Sequence, residues 1–186
     1  IIGTSDLTPA LTFITGFTIQ NNFTEIISLR TGLNYENKGA SIEAGFIDNQ
    51  GNSVGSAKFR YNFHYINLPL LIKASFGNKT KFFINGGPYA GYLLKQTFST
   101  PAINVNGTSS ESNTTDNTKL YKRIDFGGTL GLGLSFFLGE KLALNTEIRY
   151  NHGLTNVIKN PARNYHTKNS SFNFLIGLSF KLGSNE

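Results

Sequence analysis

The sequence predicts an all-β protein, namely an eight-stranded antiparallel up-and-down transmembrane β-barrel. Three observations lead to this fold class: a long alternating segment, a scarcity of helical periodicity, and connections that alternate between short and long. The segment 123–138 reads RIDFGGTLGLGLSFFL; every second residue from Ile124 is apolar, and the residues between are mostly small or polar. A period of two is typical of a strand. At a tilt of about 40°, a strand of this length crosses a bilayer with its apolar face toward lipid.

The composition restricts the function classes to be considered. The 186 residues fit a single domain covering 1–186, with 20 Gly, 16 Phe and 8 Tyr but no Cys. The net charge is +6, but the basic residues are scattered rather than clustered with stacking aromatics, which argues against a nucleic-acid partner. No apolar run reaches the ~18–20 residues of a membrane helix. A mean hydropathy of −0.18 remains compatible with a membrane barrel, whose apolar residues alternate with polar ones.

Seven segments show the alternation expected of strands. In order, they cover residues 11–19, 27–38, 61–76, 82–95, 123–138, 142–151 and 172–182. Their connections are short at 20–24, 77–79 and 139–141, and long at 39–60, 98–118 and 155–168. Within 39–60 we expect a loop tip at 48–52, flanked by residues that extend the two strands beyond the membrane. Outer-membrane barrels alternate short periplasmic turns with long outer loops, and bacterial ones have an even number of strands. We therefore expect an eighth strand that ends near residues 1–3 and is largely missing from this sequence.

Two local features modify this interpretation. Pro69 and Pro88 lie inside predicted strands, and because proline cannot donate to the ladder, they predict bulges or local gaps in the pairing. The connection 98–118 is rich in Ser, Thr, Asn and Gly, which predicts a mobile polar loop.

Charged residues at inward-facing positions form the first set of candidate site residues. The bore of an eight-stranded barrel is narrow enough for side chains to fill, and buried charges must pair or destabilise the protein by several kcal/mol each. We therefore expect charges of both signs to interlock as a plug, the alternative being an ion-conducting or catalytic lumen. The predicted lumen charge network comprises Arg30, Glu36, Lys38, Lys73, Arg123, Asp125, Glu147, Arg149 and Lys181.

Apolar residues on the opposite face of the same strands form the second set. They are too numerous and too continuous for the interior of a small barrel, which favours a lipid-facing surface over a lipocalin-like ligand cavity. The predicted lipid-facing residues are Leu29, Leu33, Leu68, Leu70, Ile124, Leu130, Leu132, Leu134, Ile148, Phe174, Ile176 and Leu178.

No catalytic, cofactor-binding or metal-binding residue is predicted. His64, His152 and His166 are isolated, with no second ligand at a metal-like spacing. The sequence contains no GxSxG, HExxH or CxxC motif. The glycines of 127–133 continue a strand, whereas a phosphate-binding loop precedes a helix. We expect no enzymatic activity; in the alternative of a membrane-embedded enzyme, the three histidines would be the only candidates.

Six segments carry a family resemblance. They are SLRTGLNYENKGA (28–40), INLPLLIKASF (66–76), INGGPYAGYLL (84–94), DFGGTLGLGL (125–134), EIRYNHGLTNV (147–157) and IGLSFKL (176–182). In this order they resemble the small outer-membrane β-barrel family of Bacteroidota, the PorT-like group. The resemblance implies an integral protein of the outer membrane of a Gram-negative bacterium. Some members are implicated in protein secretion or larger outer-membrane machines, and the family has no shared catalytic residues.

These observations lead to an expected role as a non-enzymatic accessory or scaffold subunit of an outer-membrane protein complex. Its partners would be the lipid bilayer and other outer-membrane proteins. Long polar loops on one side offer a surface that a partner can order, and the outward-facing Gly86 and Gly128 leave room for a neighbouring transmembrane element. The alternatives are a small porin-like barrel and a free-standing structural barrel.

Overall fold

The computed structural model describes residues 8–9, 12–47, 50–105, 108–160 and 166–182. The strands are β1 Thr8–Pro9, β2 Ile14–Asn22, β3 Ile27–Ile47, β4 Ser53–Phe76, β5 Thr80–Thr100, β6 Ile103–Val105, β7 Thr108–Ser110, β8 Asn113–Asp116, β9 Ile124–Phe137, β10 Leu142–Gly153 and β11 Ser170–Phe180. A short 3-10 helix covers Thr118–Leu120. Within the described ranges, no helix is long and apolar enough to span a membrane.

The main strands form one antiparallel sheet in the order β2–β3–β4–β5–β9–β10–β11. β1 also pairs with β3, where Thr8 lies opposite Ser41, beyond the part of β3 that pairs with β2. β8 pairs with the end of β5, while β6 and β7 form a separate hairpin. Consecutive main strands are neighbours, so the predicted all-β, up-and-down fold class is confirmed.

The sheet curls so that its polar face encloses a lumen. Arg30 on β3 contacts Glu147 on β10, although β4, β5 and β9 lie between these strands in the sheet. Along β4 the two faces are clearly separated, because alternate residues from Tyr65 to Lys73 are buried and those between them are more exposed. The apolar residues therefore lie mainly on the outside, as on a barrel embedded in lipid.

β2 and β11 form the two edges of the sheet among the described residues. Because each successive strand reverses direction, these two edges run the same way and cannot pair antiparallel with each other. All residues of β2 after Ile14 are exposed, on both faces of the strand. The eighth strand that we expected to end near residues 1–3 lies outside the described residues.

Three neighbouring strands are longer than the others and project at one end. β3, β4 and β5 contain 21, 24 and 21 residues, whereas β9, β10 and β11 contain 14, 12 and 11. We call this projecting part the outer extension; it comprises residues 39–47, 53–64 and 95–100 together with β8. The short turns at 23–26, 77–79 and 138–141 lie at the opposite end, which is the periplasmic end of a barrel with this loop pattern.

The segments 39–60 and 98–118, predicted as long connections, contain strands, and at 39–60 these are the expected extensions of the neighbouring strands. β3 and β4 continue through most of 39–60, and pairs from Ala40–Tyr61 to Phe46–Gly55 join them. The expectation of a loop over 98–118 is wrong, because the described part of this segment contains the end of β5, three short strands and the first residue of the 3-10 helix. Backbone pairing of Thr97–Thr100 with Asn113–Asp116 supplies the order that the polar side chains do not indicate.

Both strand prolines lie where the pairing is interrupted. Pairs between β3 and β4 stop at Thr31–Leu70 and resume at Asn34–Asn67, leaving Pro69 outside this ladder. Pairs between β4 and β5 are missing opposite Pro88 in the same way. The interpretation that these prolines mark local gaps is confirmed, and it follows from the missing N–H donor of each ring.

Glycines on the inner face of β9 make room for large side chains of its neighbours. A Cβ atom at Gly133 would lie 2.3 Å from Cζ of Phe83, and one at Gly131 would lie 2.6 Å from Oε1 of Glu147. The small inner face of β9 therefore allows the Phe83 ring and the Glu147 carboxylate to cover it, which fills the lumen.

Candidate functional site

Most of the predicted lumen charges lie together in the interior. The side chain of Arg30 is 16% exposed. The buried members are Glu36, Lys38, Lys73, Asp125, Glu147 and Arg149. They are organised around three carboxylates, each on a different strand.

Glu36 on β3 is the first of these carboxylates and is fully buried. The ammonium group of Lys38 lies 3.7 Å from Glu36 Oε2. The other groups around the carboxylate are neutral donors from β4, β10 and β11, so Glu36 joins strands on opposite sides of the lumen. The donors are Asn67, Asn151, Ser171 and Asn173.

Glu147 on β10 binds two arginines. Arg30 donates from Nη1 to Oε2 at 2.6 Å, and Arg149 donates from Nε to Oε1 at 2.7 Å. Asn85 on β5 donates to Oε1 at 3.2 Å. Because charge-assisted hydrogen bonds are about twice as strong as neutral ones, this cluster fastens β3 to β10 through the lumen.

Asp125 on β9 accepts hydrogen bonds from neutral groups. Thr155 donates to Oδ1 at 2.6 Å, and Asn169 and Tyr89 donate to Oδ2 at 3.0 and 3.3 Å. The Asn169 amide also donates to the hydroxyl oxygen of Tyr65 at 2.9 Å. This cluster lies near the outer ends of the strands and ties the segments flanking 156–168 to the barrel.

Two buried lysines lie beside these clusters. Lys38 Nζ lies 5.1 Å from the ring centroids of both Tyr65 and Tyr89, which links the surroundings of Glu36 to those of Asp125. Lys73 Nζ lies 4.1 Å from the ring centroid of Phe83 and donates to Gln20 at 3.2 Å. Cation–π contact partly replaces the water that each ammonium group loses on burial.

Two predicted members do not join the network. Arg123 is exposed, and its Nη1 donates to the backbone carbonyls of Leu93 and Leu94 at 2.8 Å. It precedes the first residue of β9, so the alternation of the strand does not fix its direction. Lys181 follows the last residue of β11 and is likewise exposed. The prediction that these two side chains fill the lumen is corrected accordingly.

The predicted network contains only charged residues and lacks the neutral residues that form hydrogen bonds with them. The asparagines among them are recognisable from the sequence, because an asparagine at an inward strand position has an amide donor for a buried carboxylate. The missed members are Asn67, Asn85, Asn151, Asn169, Asn173, Tyr65 and Tyr89.

A small cavity lies among the side chains of the lumen network. A cavity of about 10 Å³ lies between residues such as Glu36, Tyr89 and Arg149. This volume is on the scale of one water molecule. The arrangement is suited to holding strands together, since each of the three carboxylates accepts hydrogen bonds from side chains outside its own strand.

The histidines are separate from each other and from this network. His64 faces outward, with its Nδ1 2.6 Å from the Tyr35 hydroxyl. His152 lies beside Tyr150 and Ser170 near the end of β10, and His166 is exposed. No group of three or more His, Cys, Asp or Glu residues suited to a metal ion occurs in the part of the chain that the structure describes.

The structure places the predicted lipid-facing residues on the outside of the sheet. Exposure ranges from 37% for Leu134 to 67% for Ile176, while Leu29 is half-buried. On β4 this apolar surface extends from Ile66 to Phe76, which corresponds to a height of roughly 25 Å for a tilted strand. That height matches the apolar band of an outer-membrane barrel.

Comparison with known proteins also indicates an outer-membrane barrel. The family described as Outer membrane protein beta-barrel domain matches residues 1–159, which include β1 to β10. No curated protein matches the sequence. The chain therefore belongs to the outer membrane protein β-barrel domain family and is an integral protein of the outer membrane of a Gram-negative bacterium.

Proposed function

We propose that this barrel is a non-enzymatic accessory or scaffold subunit of an outer-membrane protein complex. The finer assignment, to the PorT-like group of Bacteroidota and to secretion or barrel-assembly machinery, rests on the sequence resemblance. The observation that carries the proposal is the outer extension, which β3, β4, β5 and β8 form and to which β1 adds a short pairing with β3. A barrel that serves only as a membrane anchor has no need of such a one-sided projection.

One face of the outer extension carries aromatic side chains. Phe98 lies 5.9 Å from Phe59 and 4.8 Å from Tyr61 between ring centroids, and Phe63 packs edge-on against Tyr121 at 5.0 Å. All five are only partly buried. Rigid aromatic groups that keep exposed area are enriched at protein interfaces, so this aromatic face suits a protein partner.

The interior supports a structural role for the barrel itself. The carboxylates of Glu36, Asp125 and Glu147 are all engaged by side-chain donors, and the cavity beside Glu36 has a volume of about 10 Å³. A porin needs a water-filled channel. We therefore expect no steady single-channel conductance in planar bilayers, and a stable conductance would favour the porin-like alternative.

Affinity purification from gently solubilised outer membranes tests the proposal. We expect a stoichiometric protein partner with the native chain. The double variant F59S/F98S should retain less than a fifth of it, because it removes the stacked pair from the aromatic face. The control N62S/S99A changes the opposite face of the same strands. Recovery of a lone monomer, or equal recovery with both variants, would contradict the proposal; heat-modifiable electrophoretic migration establishes that each variant is folded.

A further inference from the structure

The outward face of β4 changes character abruptly along its length. The apolar residues end at Ile66, and the next outward positions are His64, Asn62, Arg60 and Lys58. Arg60 and Lys58 are exposed, and neither forms an ion pair with any residue in the described ranges. The column of side chains that faces lipid therefore continues above it as a polar column that ends in two basic residues.

The neighbouring strands add positive charge at the same level. Lys95 on β5 pairs in register with His64, so both lie on the outward face. Arg123 lies beside them, held by hydrogen bonds to the carbonyls of Leu93 and Leu94. We call Lys58, Arg60, Lys95 and Arg123 the outer basic patch.

Acidic residues balance only part of this charge. Lys95 lies 4.0 Å from Asp116, and both side chains are 55% exposed, so solvent screens this contact strongly. Glu43 lies opposite Lys58 in the pairing, and its carboxylate accepts a hydrogen bond from Ser56. Arg60 lies between Ser41 and Ser99, two neutral residues. The patch therefore retains a net positive charge.

Two tyrosines indicate where the patch lies relative to the membrane surface. Tyr35, Ile66 and Tyr92 lie side by side across β3, β4 and β5, and tyrosines of this kind mark the membrane–water interface. His64 and Lys95 lie one pair of residues above that row, roughly 5 Å higher along the membrane normal. The patch thus begins where the headgroups of the outer leaflet are located.

We propose that the outer basic patch binds the phosphate groups of a phosphorylated glycolipid in the outer leaflet. Arginine and lysine form strong charge-assisted hydrogen bonds with phosphate. The Cα atoms of Arg60 and of the His64–Lys95 row are roughly 13 Å apart along the strand. A disaccharide headgroup with a phosphate at each end can bridge this distance. The acyl chains of such a lipid would lie against the apolar band directly below.

Native mass spectrometry of the chain in neutral detergent tests this site, with diphosphorylated lipid A as the probe. The test variant is K58Q/R60Q/K95Q. The matched control K79Q/K141Q/K181Q removes the same charge from exposed positions at the periplasmic end. We expect the association constant to fall at least fivefold in the test variant and to change less than twofold in the control. Chemically dephosphorylated lipid A should bind the native chain at least fivefold more weakly than the intact lipid.

Three results would overturn the proposal. The first is equal binding by test and control variants, and the second is undiminished binding of dephosphorylated lipid A. The third is equally tight, patch-dependent binding of phosphatidylglycerol, because a single-phosphate lipid would then suffice. Heat-modifiable migration of both variants on gels establishes folding before titration, so a loss of binding is not a loss of structure.

Discussion

The carboxylate of Glu36 on β3 accepts a hydrogen bond from the hydroxyl of Ser171 on β11, although four strands separate these residues in the sheet. Asn173 on β11 donates to the same oxygen at 3.1 Å. These hydrogen bonds run across the lumen and are not part of the backbone ladder. They therefore hold the curvature of the sheet independently of strand pairing. Polar contacts thus stabilise the interior of this barrel, while its apolar residues face lipid.

Replacing Glu36 should therefore destabilise the whole barrel. In Glu36→Ala the amides of Asn67, Asn151 and Asn173 lose their acceptor, and Lys38 loses its only ion-pair partner among the described residues. Removing one partner from a buried charge pair costs about 3–5 kcal/mol. We expect a loss of this size in the free energy of unfolding, measured by urea titration in phosphatidylcholine vesicles.

Two further variants make this measurement decisive. Glu36→Gln keeps one acceptor oxygen and should lose less stability than Glu36→Ala. Glu140→Ala removes an exposed carboxylate from a periplasmic turn and should change stability by less than about 0.5 kcal/mol. Similar losses for the lumen and turn variants would show that the interior network does not stabilise the barrel.

A second prediction concerns two glycines on opposite faces of β9. A Cβ atom at Gly133 would lie 2.3 Å from both Phe83 Cζ and the Thr146 carbonyl oxygen, whereas one at Gly128 meets no atom within 4 Å. Gly133→Ala forces extra volume into a filled interior and should cost about 1–3 kcal/mol. Gly128→Ala should lie within about 0.5 kcal/mol of the native chain. The same urea titration checks both, and an equal cost at the two sites would refute the assigned faces.

A strand is easiest to recognise in the sequence when its two faces lie in different surroundings. β9 was predicted over 123–138 and is observed over Ile124–Phe137, because lipid on one side and a crowded lumen on the other impose a strict alternation. β8 was missed because Asn113–Asp116 is polar throughout and exposed on both faces. Its partner on β5 determines that it is a strand, and this pairing has no counterpart in the composition of the segment.

The composition of the lumen was easier to predict than its connections. Alternation identified Arg30, Glu36 and Glu147 as inward-facing, but Arg30 and Glu36, expected to be part of one interlocked set, belong to different clusters. Arg30 and Glu147 are 117 positions apart in the chain. Which charge meets which depends on the curl and stagger of the whole sheet, and these properties cannot be derived from one strand at a time.

Lipid exposure leads to a third prediction. Leu132 lies on the outward face of β9 and is 48% exposed, near the middle of the apolar band. Leu132→Arg should cost ~2–4 kcal/mol, as an arginine does at the midplane of a bilayer. Leu142 begins β10 beside the periplasmic turn, and Leu142→Arg should cost only about 0–1 kcal/mol. Unfolding in vesicles measures both, and equal costs would contradict the assigned depth.

The last prediction concerns Asp116, which ends β8 in the outer extension. Its Oδ1 accepts hydrogen bonds from the hydroxyl of Thr118 at 2.5 Å and from the Thr118 backbone N–H at 2.9 Å. These hydrogen bonds lower the pKa of Asp116 below its ordinary value of 3.8, and the positive charges of Lys95 and Arg123 add to the effect. The carboxylate thus favours the turn only in its ionised form.

The turn at Thr118 should therefore loosen in acid. Because the folded-state pKa of Asp116 is lower than the unfolded one, its stabilising effect is complete above the ordinary value of 3.8 and is lost as the pH falls through the folded-state pKa. We expect the hydrogen-exchange protection factor of the Thr118 amide to be constant near neutral pH and to decrease in that acidic range. Asp116→Asn should give lower protection at neutral pH and no such decrease. Glu111→Gln, an exposed change in the neighbouring segment, should behave as the native chain does; an unchanged acid transition in Asp116→Asn would assign the effect to another group.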